Sequence, residues 1–232
     1  MNTEVEILTE AISWSAALGS FVRELPDVFH FYDYVALEAK RLGGRPVMLL
    51  MRCDASFFAI VFILRDIPGQ QGLCDATSVY GYNGCLSSAP PSELTKTKVA
   101  DAFGRALYKL GCVCIFNRGH PFLPAVLPNA LKAGETIYVD LVAGESAYDQ
   151  GLSKGHSYEV RKLKQSGVRI EHDRGLHHLD EFYRAYAATM DRVGASSYYY
   201  FGQEYFRQLL TNPALGGELH LAWAGDQLAA GS

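Results

Sequence analysis

Along this chain the spacing of apolar residues switches repeatedly between extended and helical periods. Val5–Leu8 reads as a short strand. Over Glu10–Arg23 the residues Ile12, Ala16 and Val22 fall loosely at helical spacing, with Pro26 as the stop. Phe31–Leu42 predicts a second helix, with Val35, Leu37 and Ala39 apolar and Gly43-Gly44 closing it. Val47–Met51 and Phe57–Leu64 are apolar runs around Cys53-Asp54-Ala55 and predict a hairpin of buried strands. Asp66–Gly72 carries Pro68, Gly69 and Gly72 and reads as a loop. Leu73–Tyr80 predicts a strand, followed by the glycine-broken loop Gly81-Tyr82-Asn83-Gly84. Ser92 is placed to cap a helix that runs to Leu110 and ends at Gly111. Cys112–Phe116 predicts a buried strand, and the alternation in Thr136–Val142 predicts another.

A second cycle follows Gly144. Tyr148–Gln165 reads as one charged helix, Val168–Glu171 as a strand, and Leu179–Val193 and Gln203–Leu210 as helices. Leu219–Trp223 reads as a strand, with a turn at Gly225-Asp226 and a return strand from Gln227. This cycle echoes the first. Phe29-His30-Phe31-Tyr32, a helix, Gly43-Gly44, a strand, a turn at Asp54 and an apolar strand match Tyr199-Tyr200-Phe201, a helix, Gly216-Gly217, a strand, a turn at Asp226 and a strand. The offset of about 170 residues is that of a duplicated domain, although helix–glycine–hairpin is also a common succession. The second copy reaches Ser232 where the first enters its second hairpin strand. The expectation is therefore a first lobe over residues 1–143 and a second over 144–232, the second truncated by roughly 90 residues.

These patterns put the chain in the α/β (α+β) class. Its 232 residues are 49% hydrophobic and 20% charged, the balance of a folded globular protein. A net charge of −4 argues against a pervasive nucleic-acid surface. The five cysteines are odd in number and none has C-x-x-C spacing, so reduced thiols and a cytoplasmic location are expected. The longest apolar run, near Phe57–Leu64, is too short to span a membrane.

Common nucleotide-binding, hydrolase and zinc-protease motifs are absent. Cys112-Val113-Cys114 reads as two small buried residues rather than half a metal site, and His177-His178 as a solvated helix start; no metal is expected. Four segments carry more chemistry. In Asp75–Gly84 two tyrosines, Tyr80 and Tyr82, flank a glycine, which suits either ligand contact or a tight turn. Asn117-Arg118-Gly119-His120 follows a strand, where α/β sheets collect their sites; an anion site, a proton relay and a structural Arg–carboxylate pair all fit. Arg161, Lys162 and Lys164 form either a solvated basic face or a phosphate clamp. In Ser196–Phe201, read as extended, Tyr198 and Tyr200 share one side and Tyr199 takes the other.

The same segments, in this order, resemble a known family. Asp75–Leu86 is similar to the "DA-x-SPYGYGGPL" loop of two-lobed GNAT-like acyltransferases, and Cys114–Leu123 to their "hydrophobic–R–x–HPLL" strand end. Glu135–Leu141 resembles the strand entering their second lobe, Tyr158–Ile170 their "IRKA" helix and strand, and Phe182–Phe206 their aromatic block. The relatives so implied are the Fem-type (FemAB-like) aminoacyltransferases of peptidoglycan bridges and related cell-envelope acetyltransferases. Val79, Asn83 and Cys85 depart from the family's proline, glycine and proline.

The resemblance implies two GNAT-like lobes, each a mixed sheet flanked by helices, with an acceptor held between them. On that reading Tyr80, Tyr82, Arg118 and His120 form one wall and Arg161 and Tyr199 the other, with Asn83 a further acceptor-binding residue. Arg118 and Arg161 would hold an acceptor phosphate or carboxylate, and His120 would be the general base, with substrate-assisted deprotonation equally open. The implied donor is acetyl-CoA or another acyl-CoA, with its binding loop expected beyond Ser232. The implied acceptor is an amine or hydroxyl of a small-molecule, lipid-linked or nucleotide-sugar envelope precursor. An aminoacyl-tRNA donor fits the charge less well. A non-catalytic GNAT-like binding module is the alternative outside enzymes.

Overall fold

The computed structural model describes residues 4–21, 26–53, 55–123 and 125–232. The expected turn at Asp54, and Val22 and Arg23 of the first expected helix, lie outside them. The chain divides into two compact units, Met1–Ala133 and Gly134–Ser232, where the sequence reading drew its boundary after Ala143.

In the first unit, β1 (Val5–Leu8), β2 (Arg45–Cys53), β3 (Ser56–Asp66), β4 (Cys74–Thr77) and β6 (Cys112–Phe116) lie side by side in that order. A short β5 (Leu86–Ser87) also pairs with β3. All pairings are antiparallel except β4 with β6, so the sheet is mixed. Strand β3 has neighbours on both sides, and every residue from Phe58 to Leu64 is buried. Val47, Leu49, Met51, Phe58, Ile60 and Phe62 pack against Val99, Phe103 and Leu107 of α3 (Glu93–Lys109). Ser92 caps that helix by accepting the N–H of Thr95. At its other end Gly111 takes φ +78°, and a Cβ there would stand 2.0 Å from the Gly72 carbonyl oxygen.

The first unit also holds α1 (Ala11–Leu18) and α2 (Tyr32–Leu42). Trp14 of α1 is fully buried and donates its indole N–H to the carbonyl of His30 at 2.8 Å. α1 stops at Leu18, where Gly19, a poor helix former, follows; Pro26 is not its stop.

The second unit contains α4 (Gly144–Gly151), α5 (Lys154–Gln165), β7 (Arg169–His172), α6 (Leu179–Arg192), α7 (Gln203–Thr211), β8 (His220–Ala224) and β9 (Gln227–Gly231). Its sheet is antiparallel, in the order β7-β8-β9. Leu219, Leu221 and Trp223 are buried against Leu176, Phe182, Leu210 and Leu228.

The two units repeat one succession. Strand β1, helix α1, a 3-10 turn at Val28–His30, helix α2, and hairpin β2–β3 match strand β7, helix α6, a 3-10 turn at Ser197–Tyr199, helix α7, and hairpin β8–β9. The pairing also matches: the first strand lies antiparallel to the first arm of the hairpin in both. Between helix and hairpin stands a Gly-Gly step in each unit. Gly43 and Gly216 adopt φ +67° and +61°. Gly44 and Gly217 sit where a Cβ would come within 2.6 Å of the Leu64 carbonyl oxygen and 2.7 Å of the Leu209 carbonyl oxygen. The first glycine serves a left-handed turn and the second a close approach.

Several expectations do not hold. Thr136–Val142 is not a strand; residues 131–140 have neither helix nor strand, and Ile137 is 96% exposed. Alternation makes a strand only when a partner offers hydrogen bonds. Cys112–Phe116 is a strand but not a buried one, because it stands at the sheet edge with Val113 and Phe116 exposed. Cys114 is likewise exposed. Tyr148–Gln165 is two helices, since Ser153 caps a new one by accepting the N–H of His156. The strand expected over Leu73–Tyr80 ends at Thr77. Ser197–Tyr199 is a 3-10 turn rather than extended chain.

Candidate functional site

Strands β4 and β6 run parallel, and the segments that leave their C-terminal ends stay side by side. Ser78 N–H donates to the Phe116 carbonyl at 2.9 Å, and Asn83 N–H to the Arg118 carbonyl at 2.9 Å. Arg118 N–H donates to Ser78 Oγ at 3.2 Å. These bonds bring Tyr80, Tyr82, Asn83, Arg118 and His120 to one region of the first unit.

Helix α2 fixes the start of this region. Glu38, fully buried, accepts the backbone N–H of Tyr80 at 3.1 Å. It also takes a two-pronged pair from Arg41, at 3.1 and 2.7 Å. One turn earlier, Tyr34 donates its hydroxyl to the Tyr80 carbonyl at 2.7 Å. Both backbone polar groups of Tyr80 are thus held from one helix face. Gly81 follows at φ +120°, pressed so close to the Phe29 ring that a Cβ would come within 2.2 Å of it. Tyr82 then stands on the surface, edge-on to Phe29.

Asn83 has no exposed surface. Its amide N–H groups donate to the carbonyl of Val61 and, at 3.1 Å, to Asn117 Oδ1. Its amide oxygen accepts the N–H of Gly84 at 2.9 Å. This side chain ties the loop to β3 and to the β6 end, and it turns no polar atom outward.

His120 is half-buried. A Cβ at Gly84 would come within 2.7 Å of the His120 Cβ, so that glycine makes room for the imidazole. His120 Nδ1 accepts the N–H of Phe122 at 3.2 Å, which assigns the proton to Nε2, 3.4 Å from Asp27 Oδ2. Both ring nitrogens are therefore engaged, and a role as general base requires release of Nδ1 from the Phe122 N–H. Asp27 also caps the 3-10 turn at Val28–His30. Beside His120 stands His30, fully buried, with Nδ1 accepting the Asp27 N–H at 3.2 Å and Nε2 donating to the Gly84 carbonyl at 3.3 Å. Burial, the largest influence, holds the His30 imidazole below its ordinary value despite these bonds, so it stays neutral. Arg118 is exposed, and among the described residues no carboxylate pairs with its guanidinium.

Asn117 belongs to the strand-end segment expected to carry chemistry, whereas His30, Asp27 and Glu38 were not expected in this framework. Two local signals existed: Asp27 and His30 stand at capping spacing, and Glu38 and Arg41 at i,i+3.

The other two expected site residues belong to the second unit. Arg161 is exposed on α5 with Lys162 and Lys164, and no described side chain pairs with it. Tyr199 is partly exposed; its carbonyl accepts the Tyr186 hydroxyl, and its ring meets Tyr198 edge-on at 5.2 Å. Tyr186 also accepts the N–H of Phe201 at 3.2 Å, so the turn is pinned to α6. No described helix is long and apolar enough to cross a membrane.

No curated protein matches the chain. Residues 152–232, which comprise α5, β7, α6, α7 and the β8–β9 hairpin, match the family model described as an acetyltransferase (GNAT) domain, and that match supports a general acyltransferase function.

Proposed function

We propose that this protein is an acyltransferase of the GNAT/FemAB-like type. It transfers an acyl group, acetyl from acetyl-CoA in the simplest case, to an amine or hydroxyl of a cell-envelope or polysaccharide precursor. The observation that carries this reading is the acetyltransferase-domain match over residues 152–232. An acyl-CoA supplies an activated thioester carbonyl; among the described residues no side chain is assigned to it. The chain's own contribution is to bind and orient the acceptor. Arg118 and Arg161 each present an exposed guanidinium, whose planar fork suits a phosphate or carboxylate. Tyr82 and Tyr199 offer exposed ring faces for stacking. Asn83 acts as a positioning residue, because its amide is spent inside the loop. His120 serves as base through Nδ1 only after that atom leaves the Phe122 N–H.

The test is acceptor-dependent release of free CoA from acetyl-CoA, followed by chromatography, with nucleotide-sugar and lipid-linked amines and alcohols as acceptors. Turnover is expected with at least one phosphorylated acceptor. Transfer only from aminoacyl-tRNA would replace the donor, and acceptor binding without turnover from either donor would make the chain a binding module.

A further inference from the structure

Burial alternates from Glu218 into β8. Leu219, Leu221 and Trp223 turn into the core of the second unit, so Glu218 and His220 fall on the opposite face. His172 of β7 is the direct cross-strand partner of His220. The two imidazoles stack with centroids 4.7 Å apart and 28° between planes. His220 Nε2 lies 3.0 Å from Glu218 Oε2. One ligand atom from each of His172, Glu218 and His220 lies within 4.8 Å of the other two.

We propose that His172, Glu218 and His220 form a binding site for a divalent transition-metal ion of the zinc type, joining β7 to β8. Two imidazoles and one carboxylate are a donor set for such an ion, whereas calcium and magnesium prefer oxygen alone. With bonds of about 2.0–2.2 Å, tetrahedral ligand atoms stand roughly 3.4 Å apart. The three atoms need only a small inward rotation of their side chains, and the backbones of His172 and His220 are fixed by the strand pairing. One group opposes the ion. Arg174, exposed, donates Nε to His172 Nδ1 at 3.4 Å, adding positive charge and occupying a lone pair. Binding requires Arg174 to swing aside.

The experiment titrates zinc chloride into the whole chain by calorimetry, in a Cys112→Ser, Cys114→Ser background so that these thiols do not compete. One ion per chain is expected, with a higher Tm in its presence. His172→Gln, His220→Gln and Glu218→Gln should each weaken binding by at least on the order of 10–100-fold and remove the Tm rise. Arg174→Gln should tighten binding, a direction that a purely structural histidine pair does not give. Affinity unchanged by the three ligand substitutions would overturn the site, as would weaker binding in Arg174→Gln. If a ligand variant fails to fold by circular dichroism, the exposed Arg174 variant still decides.

Discussion

The carboxylate of Glu38 reaches across from α2 to accept the backbone N–H of Tyr80, at 3.1 Å. A charge with no exposed surface is tolerated there because Arg41 pairs with it. Glu38→Ala removes the acceptor for both donors and should destabilise the first unit by about 3 kcal/mol, the lower end for loss of a buried ion-pair partner. Glu38→Gln, which keeps an oxygen for Tyr80, should cost less. Urea unfolding of the two variants measures the difference.

Asn83→Ala should cost roughly 1–3 kcal/mol for each buried partner left unsatisfied, with the carbonyl of Val61 and the N–H of Gly84 the main losers. Asn83→Asp should be worse than Ala, because it sets a carboxylate oxygen against the Val61 carbonyl. Equal stability of wild type and Asn83→Ala would return this residue to ligand contact.

His30 gives a pH dependence of known sign. Its folded-state pKa lies below its unfolded value, so the unfolded chain takes up the proton first. Its contribution to stability is complete above the ordinary histidine value of about 6.5 and is lost as pH falls from there towards the lowered folded value. Denaturation at pH 7.5 and 5.5 should show a loss in the wild type that is reduced in His30→Gln.

The parts of this fold legible in the sequence are those where local physics acts alone. The Ser92 cap, the Gly111 stop and the β2–β3 hairpin carry their own signals. So does the succession shared by the two units. The misreadings arise where a neighbour decides. Ile137 and Val139 alternate as a strand would, but among the described residues no strand pairs with them. Cys112–Phe116 has the composition of an interior strand, and only sheet order makes it an edge. In the candidate site, Tyr82 and Arg118 stand out by type and punctuation. Glu38 and His30 do not, because a buried polar residue in an apolar segment is recognised only through partners distant in sequence.

Gly81→Ala should disturb the loop twice, through a φ of +120° and through collision with Phe29. A stability loss of more than about 1 kcal/mol is expected. The ring of Tyr82 should move as well, and its fluorescence or its aromatic proton shifts would report this.

Arg161→Ala should leave the fold unchanged, since the residue is exposed on a helix with no buried positions. If the proposed acyltransfer holds, acceptor affinity falls about ten- to a hundredfold while donor affinity does not. Arg161→Lys should recover part of the loss, because an ammonium keeps the charge without the fork. Separate titrations of acceptor and acyl-CoA check this.

The paired glycines at positions 43–44 and 216–217 bear on ancestry in an unexpected way. Each pair is demanded by sterics: one residue must turn left-handed, and the next must lie against a carbonyl. Any two chains that make this corner would arrive at the same dipeptide, so the glycines are poor witnesses of common descent. The better witness is the strand order, with the first strand returning to lie antiparallel beside the hairpin in both units. That order recurs in the two units although different side chains line their sheets.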